Sequence, residues 1–300
     1  MPLLHHVGSL AGGLRLRTDE PAAGILRVRV SSRLTRANGM ESSVYLAGSV
    51  LIDTGFVHAR AAILRALAGR AITAICLTHH HEDHCGNASA LAARHGCPIY
   101  LRAPERRFDE GLTALKAYRL LWWGTAAAYA PRDMPPAIET AGHRLRPIPI
   151  PGHSATHTAL FDELTGVVFV GDLYLTGGAT AVMSHENPYE SITSLRRVAA
   201  LDPTWLLNGH GLALARPAAA LLTKADRIEE AAARAVELHR AGLPVAAIIR
   251  RVFPRGGGRD RVLSALTQGE FGRACFVDAC VRHAAATAGA TAAPPTPAPT

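Results

Sequence analysis

Residues 79–84 read HHHEDH and form a dense run of side chains that bind transition metals. The run contains the pattern HxHxDH, formed by His79, His81, Asp83 and His84. In an extended loop, side chains two residues apart point the same way, so His79 and His81 can converge on one cation. Asp83 and His84 would then project toward a neighbouring cation. Zinc and other borderline metals accept imidazole and carboxylate, so the spacing predicts a transition-metal site.

Three more candidate ligands follow, each beside a glycine at the end of an apolar run. They are His153 in PGH, Asp172 in GD and His210 in GHG. A strand delivers the side chain at its end to the edge of a sheet, and glycine lets the backbone turn sharply there. Because they follow HxHxDH in this order, the three residues are expected to join the same site.

Short apolar runs alternate with helix-like segments between residues 25 and 212. Several runs are apolar throughout, which is typical of strands buried on both faces. We predict strands at residues 25–30, 43–47, 50–52, 71–77, 99–101, 144–150, 158–161, 167–170 and 205–207. We predict helices at residues 57–68, 87–94 and 189–200. The pattern indicates a layered α/β domain.

Two further parts of the chain have a helical character. Residues 104–136 form a helix-like insertion whose aromatic side chains are expected to fill core rather than wall a pocket: Tyr118, Trp122, Trp123 and Tyr129. After Pro217 the chain is Ala-rich, and apolar residues recur at steps of three and four. We therefore predict an α/β domain at 1–216 that carries the metal site, a helical appendage at 217–283 and a disordered tail at 284–300.

The net charge of the chain says less about its function than its 15 histidines do. The formal net charge is +8, from 32 Lys+Arg and 24 Asp+Glu, and the only lysines are Lys116 and Lys224. The arginines are spread along the sequence in ones and twos, and aromatic residues make up 5%. A basic balance without a cluster is weak evidence for a nucleic-acid surface, so we expect no nucleic-acid partner.

Compartment signals are sparse. No stretch approaches the ~18 consecutive apolar residues of a transmembrane helix, and the N-terminus lacks the layout of a signal peptide. The five cysteines form no CxxC pair and leave one over, which favours reduced thiols. We expect a cytoplasmic protein without membrane contact, and the sequence leaves its oligomeric state open.

These motifs together resemble the metallo-β-lactamase-fold hydrolases, whose motifs are an Asp after an early strand, HxHxDH, and PGH, GD and GH turns. All five motifs are present in this sequence. The first is Asp53, which follows an apolar run in LIDTG, and the other four are described above. The resemblance covers residues 20–212. Within the family, the sequence is most similar to the glyoxalase II and lactonase branches. It implies an αββα sandwich with metals at one edge of two facing sheets. The segment after His210 resembles the small, winged-helix-like appendage of some members.

The resemblance also implies two sets of metal ligands that share one residue. One metal takes His79, His81 and His153, the other takes Asp83, His84 and His210, and Asp172 bridges them. Asp53 is expected to orient this cluster. Zinc is the first expectation for both ions, with iron or manganese as alternatives.

Two such ions hold a bridging water as hydroxide near neutral pH, which would attack an electrophilic carbonyl. Asp83 would position this nucleophile and Asp172 would hold both metals. The expected substrate is a small ester, thioester or lactone, with Tyr174 and His185 as candidate substrate contacts. The basic residues that bind glutathione after the GD turn of glyoxalase II are absent from residues 179–184, so the substrate stays open.

Other functions compete with this one. A phosphodiesterase or nuclease would use the same metals, a mononuclear-iron persulfide dioxygenase would need only two His and one Asp, and a noncatalytic binding protein would recruit a partner through the appendage. The complete ligand set argues against the last two. An antibiotic-cleaving β-lactamase is disfavoured by the absent export signal and by Asp172.

Overall fold

The computed structural model describes residues 13–103, 116–176, 181–255 and 257–291. Its first sheet has six strands in the order of the chain: β1 (Arg15–Ala22), β2 (Ile25–Ser31), β3 (Ser42–Ala47), β4 (Val50–Ile52), β5 (Ala74–Cys76) and β6 (Ile99–Tyr100). Strands β1 to β4 pair antiparallel, and β4, β5 and β6 pair parallel. The parallel half places the carboxyl ends of β4 and β5 side by side.

The second sheet also has six strands, in the order β13-β12-β10-β9-β8-β7. Their bounds are β7 (Ile138–Thr140), β8 (His143–Pro149), β9 (Thr158–Asp162), β10 (Val167–Phe169), β12 (Trp205–Leu207) and β13 (Ala213–Ala215). Strands β10 and β12 are parallel neighbours, and the other pairs are antiparallel. The carboxyl ends of β10 and β12 therefore also lie side by side.

The two sheets pack face to face through apolar side chains. Ile52 and Cys76 from the first sheet and Phe169 and Leu207 from the second are each at most 1% exposed. The ring of Tyr45 meets Phe169 edge to face, with centroids 5.2 Å apart. Strands buried on both faces explain why these runs are apolar throughout rather than alternating.

Helices cover the outer face of each sheet. Those nearer the first sheet are α1 (Arg33–Ala37), a 3₁₀ turn (Val57–Ala59), α2 (Arg60–Ala66), α3 (Glu82–Cys85), α4 (Ala88–His95) and α5 (Ala117–Trp122). Those nearer the second sheet are α6 (Pro188–Ala199), α7 (Ala218–Arg240), α8 (Val245–Val252) and α10 (Arg273–Thr291). Between α8 and α10, helix α9 (Gly257–Leu266) packs Leu263 against the core of the first face. The predicted αββα sandwich with a helical C-terminal region is confirmed.

The C-terminal region contacts the sandwich through a helix and through a strand, among other contacts. The long helix α7 packs along α6, with Leu221, Ala225 and Ile228 in the core of the second face. A two-stranded sheet pairs β11 (Val182–Met183) with β14 (Phe271–Gly272). The appendage therefore contributes backbone to a loop that follows the GD turn.

Several local expectations differ from the structure. Strand β1 was not predicted, because its sequence RLRTDEPA is charged and exposed and shows no apolar run. Within the insertion at 104–136, residues 104–115 lie outside the described residues and the described part contains only the helix α5. Trp122 and Trp123 belong to the core and also line a pocket, so the two interpretations of these aromatics are both correct.

The predicted end of the last helix near His283 is too early. Helix α10 continues to Thr291, since its extension is rich in alanine, and Thr287 donates a hydrogen bond to the His283 carbonyl. Residues 292–300 of the predicted tail lie outside the described residues. Among the described helices, none is both long enough and apolar enough to cross a membrane.

Candidate metal centre

Four strand ends bring the predicted ligands to one edge of the sandwich. His79 follows β5, His153 follows β8, Asp172 follows β10 and His210 follows β12. Because β4 and β5 are parallel, as are β10 and β12, the turns that follow them lie on the same side of their sheets. Helix α3 then begins at Glu82, next to Asp83. The topology therefore positions all parts of the predicted site together.

The ligand atoms of seven predicted residues form three overlapping groups, in each of which the atoms lie within 4.8 Å of one another. The groups are His79, His81 and His153; His79, His84 and Asp172; and Asp83, His84 and His210. Each is suited to a metal ion. Two of the groups are the two ligand sets expected from the resemblance, and the third connects them through Asp172.

Asp172 lies between the two ligand sets. Its Oδ1 is 3.1 Å from His84 Nε2, and its Oδ2 is 3.1 Å from His210 Nε2 and 3.5 Å from His153 Nε2. On the first side, His153 Nε2 is 3.0 Å from His81 Nδ1. One carboxylate thus faces imidazoles from both sets, which is the arrangement of a bridging ligand.

The polar atoms at the centre of this cluster fit a cation. Among the described residues, His79 Nε2, His84 Nε2 and Asp172 Oδ1 are buried and have no hydrogen-bond partner. Buried polar atoms are normally satisfied, and the exceptions call for an explanation such as a bound ion. The imidazole and carboxylate donors are those that zinc, iron and manganese accept.

Asp53 fixes the orientation of His84. Its Oδ2 accepts a hydrogen bond from His84 Nδ1 at 2.7 Å, and its Oδ1 accepts one from the Thr78 amide at 2.8 Å. The backbone of Asp53 has a φ of +57°, in the left-handed region that Asp adopts more readily than most residues. Because Nδ1 donates to Asp53, Nε2 of His84 is the nitrogen left for the cluster.

His210 is held in the same manner from the other sheet. Its Nδ1 donates to the carbonyl of Glu41 at 2.7 Å, which leaves Nε2 facing Asp172. The side chain of Asn208 accepts from the amides of His210 and Leu212 at 2.9 and 2.8 Å and so closes the GHG turn. These bonds set both the direction and the tautomer of the imidazole.

Glycine is required at position 209 for close packing against the cluster. A Cβ there would lie 2.3 Å from His84 Cε1 and 2.9 Å from Asp172 Oδ1. Real Cβ atoms do not approach so closely, so any larger residue would displace one of these two side chains. The glycine of the GHG motif thus makes room for His84 and Asp172.

Charges within the cluster shift its pKa values in opposite directions. Burial opposes ionisation of Asp172, but His210 and His84 hold the pKa of that carboxyl well below its usual value. Burial also opposes the charge on His210, yet Asp172 and Asp83 raise the pKa of His210 to about 9. For His79, burial and the neighbouring imidazoles lower the pKa. The acidic side of the cluster therefore attracts cations strongly.

His157 and the two predicted substrate contacts, Tyr174 and His185, surround the cluster in different ways. His157 is fully buried and its Nε2 accepts a hydrogen bond from the Asp172 amide at 3.2 Å, so it supports the GD turn. The ring of His185 lies 5.5 Å from that of His81. Tyr174 is 7% exposed, and its ring lies beside the ammonium of Lys224.

A pocket of about 180 Å³ opens onto the cluster and contains charged residues that the sequence interpretation did not select. Its lining includes His81, Asp83, His153, Asp172 and His210 on one side, and Arg119, Glu186 and Lys224 elsewhere. Glu186 Oε1 is 3.3 Å from His153 Nδ1. For Lys224 a signal was available, since it falls in the apolar stripe of α7 three residues after Leu221.

His210 also lines a more open groove of about 340 Å³, here called the arginine groove, which contains Arg15, Arg17, Arg29 and Arg36. In the β1–β2 pair, Arg17 lies directly opposite Arg29. The expectation that the basic residues form no cluster is wrong here, because strand pairing brings together arginines that are separated in the sequence. Like charges in direct opposition are unfavourable, and carboxylates of the chain compensate Arg29 in part, since Glu41 lies 3.4 Å and Asp19 3.8 Å from its guanidinium.

Comparisons with known proteins agree with this geometry. The sequence profile of the family described as the metallo-beta-lactamase superfamily matches residues 38–210. The chain is 33% identical to a hydroxyacylglutathione hydrolase of Acidiphilium cryptum over 65% of its own length and 74% of that protein's. It is 32% identical to a hydroxyacylglutathione hydrolase of Alkalilimnicola ehrlichii over 56% of its own length and 58% of that protein's.

A similar fold is found among solved structures. A beta-lactamase domain protein from Burkholderia ambifaria superposes with a TM-score of 0.65 and covers 89% of both chains at 19% sequence identity. The likeness therefore extends over the C-terminal helices as well as the sandwich.

Proposed function

The chain belongs to the metallo-β-lactamase superfamily of metal-dependent hydrolases, and we propose that it uses two divalent ions to cleave an ester, thioester or lactone bond in a small molecule. The observation that carries this proposal is the position of Asp172 between two ligand sets. A single-metal enzyme would need only one of these sets. The second set, Asp83, His84 and His210, is complete.

In this proposal each side chain of the cluster has a definite task. His79, His81 and His153 would hold one ion, Asp83, His84 and His210 would hold the other, and Asp172 lies where it would serve both. When bound, two such ions lower the pKa of a shared water and polarise a carbonyl oxygen. Asp53 keeps His84 in the binding tautomer.

Asp83 is assigned a second role in orienting the attacking water. Its Oδ2 lies 3.7 Å from His84 Nε2 and 3.6 Å from His210 Nε2, and the residue lines the pocket. A carboxylate there can accept a hydrogen bond from the water and so direct a lone pair of the water oxygen at the substrate.

The proposed substrate class rests on the relatives and on the pocket. Both bacterial relatives are named hydroxyacylglutathione hydrolases, although the match spans 58% of one and 74% of the other. The pocket of about 180 Å³ is largely apolar and has room for a small acyl group. Tyr174 and His185, predicted as substrate contacts, are not among the residues that line this pocket. Zinc is proposed for both sites, with iron or manganese as alternatives, and a cytoplasmic location stays a prediction.

A phosphodiester substrate is the second candidate, and the arginine groove is the observation that favours it. The groove shares His210 with the metal centre, so an anionic chain could lie across the arginines while one phosphate reaches the metals. The apolar pocket that also opens onto the cluster suits an acyl group better than an anionic chain. We therefore rank this candidate below the acyl ester.

The test combines metal content with a substrate panel. We expect two metal ions per chain by elemental analysis and hydrolysis of at least one thioester or lactone in a panel that also contains phosphodiesters. His84→Ala and Asp172→Ala should remove nearly all of that activity. His239→Ala, an exposed histidine on α7, is the matched control and should behave as the wild type. Full activity in both cluster variants would overturn the proposal.

A further inference from the structure

Lys224 is a charged residue in an apolar position. It lies on the buried stripe of α7 with Leu221, Ala225 and Ile228, and it is only 6% exposed. Removing an ammonium group from water is unfavourable unless a partner compensates it. Lysine is one of the rarest residues in such positions, and this chain contains only one other, Lys116. The burial of Lys224 therefore calls for a reason.

Lys224 lines the pocket beside the metal centre and also a more open groove along α7. Its Nζ lies 4.9 Å from the centroid of the Tyr174 ring, which is a cation–π contact. Among the described residues, Lys224 forms no hydrogen bond and no ion pair through its side chain. It lines the pocket together with the cluster residues His153 and Asp172.

The other cation in the pocket wall is already neutralised. Arg119 donates to Glu82 at 2.7 Å and to Glu270 at 3.3 Å. The nearest carboxylates that act on Lys224 are those of Glu186 and Asp172. Glu186 is 3.3 Å from His153 Nδ1, and Asp172 belongs to the metal cluster, so both have other partners. Lys224 is thus the cation in this described wall that is available to a ligand.

Apolar side chains make up much of the pocket wall that Lys224 belongs to. They include Leu173, Val182, Phe271 and Phe276. In such surroundings an ion pair is much stronger than in water, and an uncharged group would leave the ammonium unsatisfied. The pocket therefore presents metal ligands at one place, an ammonium at another and an apolar wall around them.

We propose that Lys224 binds a carboxylate of the substrate, so that the preferred substrates are small acyl esters or thioesters that carry a carboxylate in addition to the scissile carbonyl. This inference rests on the proposed hydrolase function. A single buried ammonium suits a singly charged carboxylate, whereas a phosphate would need more donors than this wall supplies. Lys224 is accordingly a specificity-determining residue that acts on substrate affinity.

The first experiment compares two esters of similar shape. Mono-p-nitrophenyl glutarate carries a terminal carboxylate, and p-nitrophenyl valerate is its uncharged counterpart. For the metal-loaded wild type we expect a KM for the glutarate ester at least tenfold below that for the valerate. Lys224→Met should raise the KM for the glutarate ester at least tenfold, with kcat and the valerate KM nearly unchanged. Lys116→Met is the matched control and should alter neither.

A second measurement does not depend on turnover. Reductive methylation with ¹³C-formaldehyde keeps the charge of lysine and labels both lysines of the chain, and the Lys224→Met variant assigns their NMR signals. We expect glutarate to shift the Lys224 signal and valerate to leave it in place. If no ester is hydrolysed but glutarate still shifts the signal, the proposed reaction fails and the carboxylate site stands. Equal KM values for the two esters, with no shift by glutarate, would overturn the role of Lys224.

Discussion

The guanidinium of Arg119 donates to the carboxylate of Glu82 through two nitrogens, at 2.7 and 3.0 Å. Glu82 stands inside the HxHxDH motif, between His81 and Asp83. The same guanidinium also reaches Glu270 in the C-terminal region at 3.3 Å. One buried arginine therefore links the metal-binding loop to the part of the chain that closes the pocket.

Breaking this link should destabilise the protein. Arg119→Met leaves Glu82 and Glu270 buried without their cation, and removal of one partner from a buried ion pair costs about 3–5 kcal/mol. We expect a loss of this size in the free energy of unfolding, measured by denaturant titration of the metal-loaded protein. In the double variant Arg119→Met with Glu82→Gln, part of that loss should be recovered. A single-variant loss below about 1 kcal/mol would contradict the buried link.

Asp53→Asn should weaken metal binding with little effect on the backbone. Asparagine tolerates the left-handed conformation of this residue, so the change removes mainly the charge that orients His84. Loss of such an orienting partner lowers metal affinity about 10–100-fold, which competition with a chelating dye measures.

A second buried Asp–His pair provides the control for Asp53. Asp162 accepts from His143 Nδ1 at 2.7 Å, the same distance as in the Asp53–His84 pair, but away from the metal centre. Asp162→Asn should therefore reduce stability and leave metal affinity unchanged. Equal metal affinities in the Asp53 and Asp162 variants would show that His84 does not depend on Asp53.

Discrimination between charged and uncharged esters should fall at alkaline pH. Burial lowers the pKa of Lys224 to about 8, against the opposing influence of Glu186 and Asp172. Below that pH the ammonium form is present and pairs with a carboxylate; above it the charge is lost. The KM for the glutarate ester, divided by that for the valerate, should rise up to about tenfold per pH unit above pH 8. Dividing the two constants cancels the pH dependence of the metal centre, and a constant ratio from pH 7 to 9.5 would contradict the charge pairing.

The arginine groove should bind polyanions in a salt-dependent manner. We expect a short single-stranded oligonucleotide to bind at low salt, and each phosphate contact to contribute about 0.7 to the slope of log affinity against log salt. Arg17→Glu should weaken this binding at least tenfold. Arg65→Glu, an exposed arginine on α2, makes the same charge change elsewhere and should not. If the bound oligonucleotide is never cleaved by the metal-loaded protein, the phosphodiester candidate fails.

The metal centre was the part of the molecule most accessible from the sequence. HxHxDH is local, and each of the other ligands follows an apolar run and stands beside glycine, so strand ends and chemistry coincide. His79, Asp172 and His210 could therefore be placed without knowledge of which strands pair. The same runs predict a layered α/β domain, and the family resemblance of the motifs implied the αββα sandwich.

Features that depend on distant pairing could not be predicted in this way. The arginine groove exists only because β1 lies beside β2, and the sequence of β1 has no apolar pattern that would predict a strand. Arg119 meets Glu82 and Glu270 across 37 and 151 residues of sequence. Lys224 did interrupt an apolar stripe in the sequence. Its proposed role in substrate binding could not be predicted, because that role depends on the pocket that the stripe faces.

The order in which the chain is synthesised has a consequence for this pocket. The metal ligands are all present once residue 210 has been made, whereas Phe271 and Phe276 of the pocket wall, and the strand β14 that pairs with β11, come near the C-terminal end of the described chain. A nascent chain on the ribosome therefore carries a complete set of ligands before it carries an enclosed pocket. Selection of the substrate, in contrast to capture of the metals, can begin only after translation has passed these last segments.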